Sequence, residues 1–529
     1  MRFFLYVYCI ATVGLIVPVF AENATLPEEP AAAAEAALPA PAPVADLPPS
    51  RVGRVSLASG NVDLRNPGGA GWADAEVNEP VFAGQALRTD SRSRAEVQIG
   101  ANTVDLSGDT EVELASLSNH YVQIAVSRGR LAVRLHELGN EDVVEVDFAQ
   151  GGIWLLAPGL YDVDAGSGDQ LSKVTVFEGQ AQFVGGSGAA HLQSDQMLVM
   201  TSDAPAITEA MAPDNFVEWC RERDYDETRL AALYYITRDM TGFADLDAAG
   251  IWRVNPDYGP VWFPTGSEEW APYRFGHWRW IPPWGWTWID DQPWGFAPSH
   301  YGRWALINEH WAWVPGNFVD RPLYAPGVVA FLGTPGVGLS SEDGATVAWF
   351  PLAPGEVYWP SYTRDVDYVW SLNIGQVGDV TTIGLRADGE PPLENFSEDF
   401  ANRQFATVVP RSIFTNGHPV APARVTLPEK RLLDAPVLMA SPQIAPAAPV
   451  QRVARAAPNP PATRTAVNQP QKRRAKPILS ASNQPHGRAQ SIVIRGAHLH
   501  VPSYAGQPRG RQTIMLRVAH SRGASGKRG

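Results

Sequence analysis

Twelve of the chain's 18 tryptophans lie between Trp252 and Trp313, and no other chemistry-bearing residue type is so concentrated. Indole faces suit the axial C–H surface of a hexose, and neighbouring acids or amides can bond its hydroxyls. Both kinds of group are present. Trp278, Trp280, Trp284, Trp286, Trp288, Trp311 and Trp313 make the densest run, and Glu268-Glu269, Asp290-Asp291 and Asn308-Glu309 recur beside them. The chemistry open to such a set is sugar stacking, with envelope polysaccharide or peptidoglycan as the ligand. Burial is the competing reading. Each indole can remove roughly 150–250 Å² from water, several kcal/mol per ring at ~25 cal/mol per Å². An exposed patch of that size is unusual on a soluble monomer. Area therefore predicts that most of these rings are core, with the stacking platform as the alternative.

Covalent chemistry finds no comparable set. The chain carries no zincin helix, nucleophile elbow, phosphate loop or Cys/His pair with a plausible base. His277, His300 and His310 are interleaved with the tryptophans, but their spacing matches no metal site. The stretch Asp245 to Gly250 begins like a calcium loop, yet its twelfth position is Pro256 instead of glutamate. We expect no enzyme, no cofactor and no bound metal.

The elements that would hold the indoles follow from a repeat. Gly-x-Trp recurs at Gly250/Trp252, Gly276/Trp278 and Gly302/Trp304, with a step of 26 residues. A second tryptophan keeps nearly the same register at Trp262, Trp288 and Trp313, and Ala271-Pro272, Ala297-Pro298 and Ala325-Pro326 punctuate the units. Within one unit Trp278 and Trp280 share a strand face, and Trp284, Trp286 and Trp288 share another after a Pro282-Pro283 turn. Such short units cannot bury an apolar face alone, so residues 250–420 are expected to form a packed array of β-hairpins.

The bulk numbers set the frame. A chain of 529 residues has room for two or three domains. Its net charge of -14 hides an asymmetry: from residue 421 onward 18 Lys/Arg face two acids, leaving 24 against 54 before it. Arg2 and an apolar run from Phe3 to Val17, followed by Val19 and Ala21, read as a signal peptide over 1–21 cut before Glu22. An uncleaved membrane anchor is the alternative, disfavoured because the run is short for a ~20-residue span. A Pro/Ala-rich linker covers 22–50. Removal of the signal leaves Cys220 as the one cysteine, so no internal disulfide forms and the thiol is expected to be a buried small hydrophobe.

Residues 51–202 alternate apolar and polar in short runs broken by glycine. "GRVSLASGNVDLRN" reads as a hairpin around Ser59-Gly60, and "RAEVQIGANTVDLSGDTEVEL" continues with turns near Gly100 and Gly108. No convincing helical period interrupts them, which predicts a β-sandwich or roll of a dozen or so strands. Two stretches, "WADAEVNEPVFAGQALRTDSRSRAEVQI" and "VTVFEGQAQF", resemble the FecR-type domain over some 150 residues. The best-known members are periplasmic halves of signal transducers that relay receptor occupancy to a cytoplasmic sigma factor. With the apolar run at the start of the sequence, no cytoplasmic sigma-regulating segment is expected, so the resemblance implies a periplasmic β module and only weakly an envelope signalling partner.

Residues 203–249 form a connector with one helical patch at 213–239. Asp214 can cap it, and Phe216, Trp219, Cys220 and Arg223 fall at helical spacing. The array that follows resembles a domain found behind FecR-type modules in proteobacterial proteins of unknown function. That likeness rests on "APYRFGHWRWIPPWGWTWIDDQPWGFAPSHYGRW", "WFPLAPGEVYWPSY" and "VVPRSIFTNGHPV". It implies an architecture without an assigned activity.

From 421 the composition turns to Pro, Ala, Arg, Gln and Ser, too poor in bulky apolar residues to offset chain entropy. The expectation is a disordered basic tail over 421–529, removable without harm to the folded body. Lys472, Arg473, Arg474 and Lys476 mark its anion-binding segment, fit for lipid headgroups or envelope polymer. Nucleic acid would suit the charge but not the export signal, and is not expected as a partner. The chain thus reads as mainly β with a short helical connector and disordered ends. Its expected role is that of a non-enzymatic periplasmic or secreted envelope scaffold, with glycan binding and FecR-like signalling as alternatives.

Overall fold

Alternating runs bounded by glycine turns dictate a chain built of strands, and strands dominate the computed structural model. It describes residues 47–447 except 50, 70, 167–170, 202–204, 225–228, 268, 335–337, 342–343, 378–399 and 439. The signal segment, most of the linker and Lys472 to Lys476 lie outside the described residues.

Eighteen strands from Gly53 to Glu209 make two nine-stranded sheets. One apolar face of each meets the other, burying Val55, Leu87, Val97, Leu106, Ile124, Val146, Ile153, Tyr161 and Phe183 between them. The sandwich is therefore larger than a dozen strands and runs past residue 202. Pairing is antiparallel except for Tyr121–Arg128 beside Val143–Phe148. The expected hairpin around Ser59-Gly60 is not one. Gly53–Ser59 pairs with Arg94–Ile99 in one sheet, whereas Val62–Arg65 pairs with Ala86–Thr89 in the other. Val55, Val62 and Leu64 still share a core, because they reach it from opposite sheets. Alternation reports which side chains point inward and is blind to the sheet they point from.

The connector is two pieces. The Asn215–Arg223 helix is capped by Asp214, whose carboxylate accepts the amides of Phe216 and Val217. Phe216, Val217 and Cys220 pack on Ala132, Leu160 and Phe177 of the sandwich. Burial pushes the Cys220 thiol up, and beside it burial and Glu96 push Asp105 to about 8. Packed on this apolar cluster with its pKa raised by burial and by Asp105, the thiol stays protonated and serves as packing material. A second piece, Ala231–Tyr234 and Phe243–Ala249, turns toward the tryptophan region, where Ile236, Phe243 and Leu246 are buried.

The three repeat units are three hairpins: Gly250–Asn255 with Gly259–Pro264, Gly276–Ile281 with Gly285–Asp290, and Arg303–Ile307 with His310–Val314. In each, the two repeat tryptophans are cross-strand partners: Trp252 with Trp262, Trp278 with Trp288, and Trp304 with Trp313. The third pair is one residue closer in sequence because its hairpin turns through Asn308-Glu309 alone, whereas Pro282, Pro283 and Trp284 turn the second. The hairpins do not stack in order. The first and third join in one four-stranded sheet through Trp262 and Trp313, while the second stands apart as its own two-stranded ribbon. Beyond it, Val329–Leu332, Leu339–Ser341, Gly344–Pro351 and Thr407–Pro410 build a further sheet.

The expected tail boundary at 421 is too early. Glu429–Asp434 is helical, and Val437–Leu438 pairs with Phe331 and Leu332 as an edge strand. Leu432, Ala435 and Ile444 are buried. Prolines at 428, 436 and 442 hide this strap from any periodicity test, since its few apolar residues anchor singly on surfaces built by others.

Candidate functional site

Burial decides the role of the indoles. Trp278, Trp284, Trp286, Trp288 and Trp313 are each 2% exposed or less. They cannot offer a face to a sugar, so burial accounts for them and the alternative of a stacking platform built on them does not hold. Neighbouring rings occupy those faces: Trp278 meets Trp288 edge-on at 5.5 Å and Trp349 at 5.6 Å, and Phe414 lies 4.3 Å from Trp286. Several indole N–H groups are spent on backbone, Trp286 on Ile444 O at 2.9 Å and Trp313 on Tyr301 O at 2.9 Å. Trp280 stays 44% exposed at the far end of its ribbon, and Trp311 is half-buried.

The opposite face of the second hairpin lies against the sandwich. Arg279 reaches Glu76 at 3.2 Å and Glu79 at 3.0 Å, and His277 meets Glu76 at 3.3 Å. Asn78 donates to Asp290 O at 2.9 Å and Gln292 O at 2.7 Å. Arg54, 2% exposed, donates to Gln98 at 2.9 Å, to Asn78 and Pro293 O at 2.8 Å each, and to Asp245. Phe82 sets its ring against Trp284 at 5.1 Å, so Val52, Phe82 and Ala101 join the tryptophan core. Such fully partnered polar groups fix one orientation between two surfaces, because any slip leaves a buried donor or charge unmet.

Two carboxyls at this junction respond to pH. Burial pushes Glu79 up to about 7 against the pull of Arg279, and pushes Asp290 up to about 7 against the Trp288 indole N–H. Each binds its proton more tightly folded than unfolded. Their contribution to stability is complete below the ordinary values of 4.5 and 3.8 and is lost as pH rises to about 7. We expect the unfolding free energy to fall between about pH 5 and pH 7.5, by roughly 5 kcal/mol for the two carboxyls together, and the thermal midpoint to fall with it. Asp290→Asn should flatten that slope. A midpoint that climbs through this range in the natural protein would contradict the assignment.

Where the ends of the first and third hairpins meet the loops flanking the second lies a groove of about 740 Å³. Phe263, Trp270, Phe275, Trp294 and Trp311 give it rings, and Thr265, Ser267, Gln292, Glu309 and His310 give it polar groups. Trp270 is braced by Trp294 and Trp304 at 5.3 Å each, and Trp311 by Phe405 at 5.5 Å. Of the paired acids, Asp290 is consumed by the Trp288 indole and the Gln292 amide, whereas Glu309 stays exposed at the groove. Sequence reading found Trp311 and missed Trp270, Phe275, Trp294 and Gln292. Their signal, had it been used, was that they fall between the repeat positions and are not needed by the hairpin pairing. A second cavity of about 50 Å³, walled by His300, Arg303 and Tyr358, is a packing gap too small for an organic ligand. Burial there holds His300 at about 3, as a neutral core histidine bonded to Ala325 O at 2.7 Å.

Among the described residues no three His, Cys, Asp or Glu side chains gather as metal ligands, and no helix is long and apolar enough to cross a membrane.

Residues 243–356 match the model of a family of unknown function, DUF6600. That span contains all three hairpins and every residue named in the groove. No curated protein is significantly similar to the chain. Two crystal structures, at 1.65 Å and 2.50 Å, of a Parabacteroides distasonis ATCC 8503 protein described as an anti-sigma factor are similar at 14% identity and a TM-score of 0.22. The match covers 24% of this chain and 60% of that one, so the chain spans less than two thirds of that protein's length.

Proposed function

We propose that this chain is an exported, non-enzymatic scaffold of the bacterial cell envelope. Its FecR-like sandwich and tryptophan-rich body serve as one rigid piece, and its basic C-terminal segment attaches that piece to anionic material. The observation that carries this reading is the junction around Arg54, Asn78 and Arg279, where buried polar groups pair across the two bodies instead of leaving a hinge. The described residues between 47 and 447 accordingly fall in one compact unit. Support for export comes from the apolar run after Arg2 and the small residues Val19 and Ala21. Beyond residue 447 the chain holds 15 Lys/Arg and no acid, a composition that adheres to anionic headgroups or polymer.

Cell fractionation with N-terminal sequencing tests the location. Mature chain starting at Glu22 in the envelope fraction is expected, and intact Met1 in the cytoplasm sinks the proposal. The rigid junction has its own test. Arg54→Ala strands the buried Asn78 and Gln98 side chains and frees the more exposed Pro293 carbonyl and Asp245 carboxylate, and should cost about 2–4 kcal/mol. Calorimetry should convert one cooperative transition into two. An unchanged single transition would mean that the two bodies are not locked through this arginine.

A further inference from the structure

We propose that the groove where the first and third hairpins meet the loops flanking the second binds a strand of neutral hexose polymer, with Trp270 and Trp311 as stacking faces and Gln292, Glu309 and His310 bonding hydroxyls at its edges. The proposal does not depend on the scaffold reading: a soluble module could carry the same groove.

Four observations lead there. First, the composition of the wall is mixed. Its rings occupy the space that an apolar ligand would want, but Thr265, Ser267, Gln292, Glu309 and His310 interrupt them. A surface of this kind matches an amphipathic ring with C–H faces and O–H edges better than it matches an aliphatic chain. Second, no Lys or Arg is among the described residues that line it, and one carboxylate is. An anionic polymer would meet no countercharge, so the matching chain is uncharged. Third, its volume of about 740 Å³ falls in the ~300–1,000 Å³ range of ligand sites.

The fourth concerns Glu309. The third hairpin turns through Asn308 at φ 50° and Glu309 at φ 67°, both left-handed. Two-residue turns of this kind favour Asn-Gly, because a side chain at the second position is strained. Asn308 obeys the preference. Glu309 departs from it, and the departure places a carboxylate on the groove wall. A residue kept against its backbone preference at the edge of a cavity fits a part in binding. The two roles separate cleanly: Glu309→Gly should raise the urea midpoint while weakening binding, whereas a purely structural residue would move both the same way.

The experiment uses the full chain and intrinsic indole fluorescence, backed by calorimetry. Cellohexaose and chitohexaose are titrated to about 5 mM, the weak end of specific recognition. Both are neutral hexose chains. A preference for the first points to an exopolysaccharide of plain hexoses, and a preference for the second to an N-acetylated wall glycan. Saturable binding of at least one is expected. Trp311→Ala should weaken it about tenfold or more, the weight of one anchoring indole. Glu309→Gln, isosteric and exposed, should weaken it about threefold with the urea midpoint unchanged. Trp280→Ala removes an exposed indole outside the groove and should leave binding intact. Failure of both sugars to saturate overturns the proposal. So does an equal loss in Trp280→Ala and Trp311→Ala, or tighter binding of oligogalacturonate than of either neutral sugar. Preference for a proline-rich peptide spanning residues 28–49 would also overturn it, by making the groove a peptide site.

Discussion

Gly276→Val and Gly302→Val are each expected to lower stability by about 3 kcal/mol or more. In all three hairpins the second tryptophan lays its indole across the glycine that opens the first strand. A Cβ on Gly276 would press on the Ile289 carbonyl and stand 2.7 Å from Cζ2 of Trp288. On Gly302 it would stand 2.5 Å from Nε1 of Trp313 and 2.7 Å from Val314 O. On Gly250 it would meet the Trp262 ring and the Phe263 carbonyl. The rings cannot retreat, because Trp262, Trp288 and Trp313 are fully buried against other side chains. The repeat of Gly-x-Trp is therefore a steric requirement, in which a missing side chain makes room for an indole across the strand pair. Urea denaturation followed by indole fluorescence measures the loss. Gly186→Val is the control, since no atom lies within 4 Å of a Cβ there and surface changes usually stay within about 0.5 kcal/mol. Midpoints of Gly276→Val and Gly302→Val that match the control would remove the explanation.

Stopping the chain at Val420 should cost more, about 5 kcal/mol or beyond, whereas stopping it at Val450 should cost nothing measurable. Loss of the strap uncovers buried surface under Leu432 and Ile444. It also orphans donors that are themselves buried: Trp286 loses the Ile444 carbonyl, and Arg403 loses Leu432 O and Ala435 O. Phe331 and Leu332 lose their edge partner. Thermal unfolding of the two truncated chains beside the full one decides this. Equal midpoints for the Val420 and Val450 forms would show that the strap is dispensable. Adhesion is expected to divide differently. Both truncated forms lack the basic segment, so both should fail to sediment with anionic vesicles. Full-length chain should sediment at low salt and detach as the Debye length shrinks below ~8 Å. Sedimentation of the Val450 form equal to that of the full chain would end the tether idea.

The same contrast runs through the molecule. Local spacing sufficed wherever the determining forces act between near neighbours. Asp214 could be recognised as a cap because a carboxylate reaches amides two and three residues on, and those of Phe216 and Val217 are the ones it meets. Each pair of repeat tryptophans could be assigned to one hairpin because nine or ten residues allow little else, and Trp278 does face Trp288. Alternation through Val97, Ile99, Val104 and Leu106 named core residues correctly, since strand geometry alone sets which side a residue faces.

What covers a face is another matter, and tertiary structure decided it. Trp278 and Trp280 share one strand face, yet one is 1% exposed and the other 44%. The difference is Trp349, Phe331 and Phe414, which arrive from residues 50 to 140 positions later and cover only the near end. Val55 and Val62 looked like two sides of a hairpin and belong to different sheets, because a two-period pattern is satisfied equally by either pairing. The groove needs Phe263, Gln292 and Trp311 side by side, which follows only once the first and third hairpins pair past the second. Strap residues such as Ile444 have no period to betray them, since their burial depends on a cavity edge made elsewhere. By itself the sequence determined the strands, the repeat and the charge division, all products of short-range geometry and composition. Which indoles became core and which became surface was decided by distant segments, because burial is a property of the whole packed chain and of no window within it.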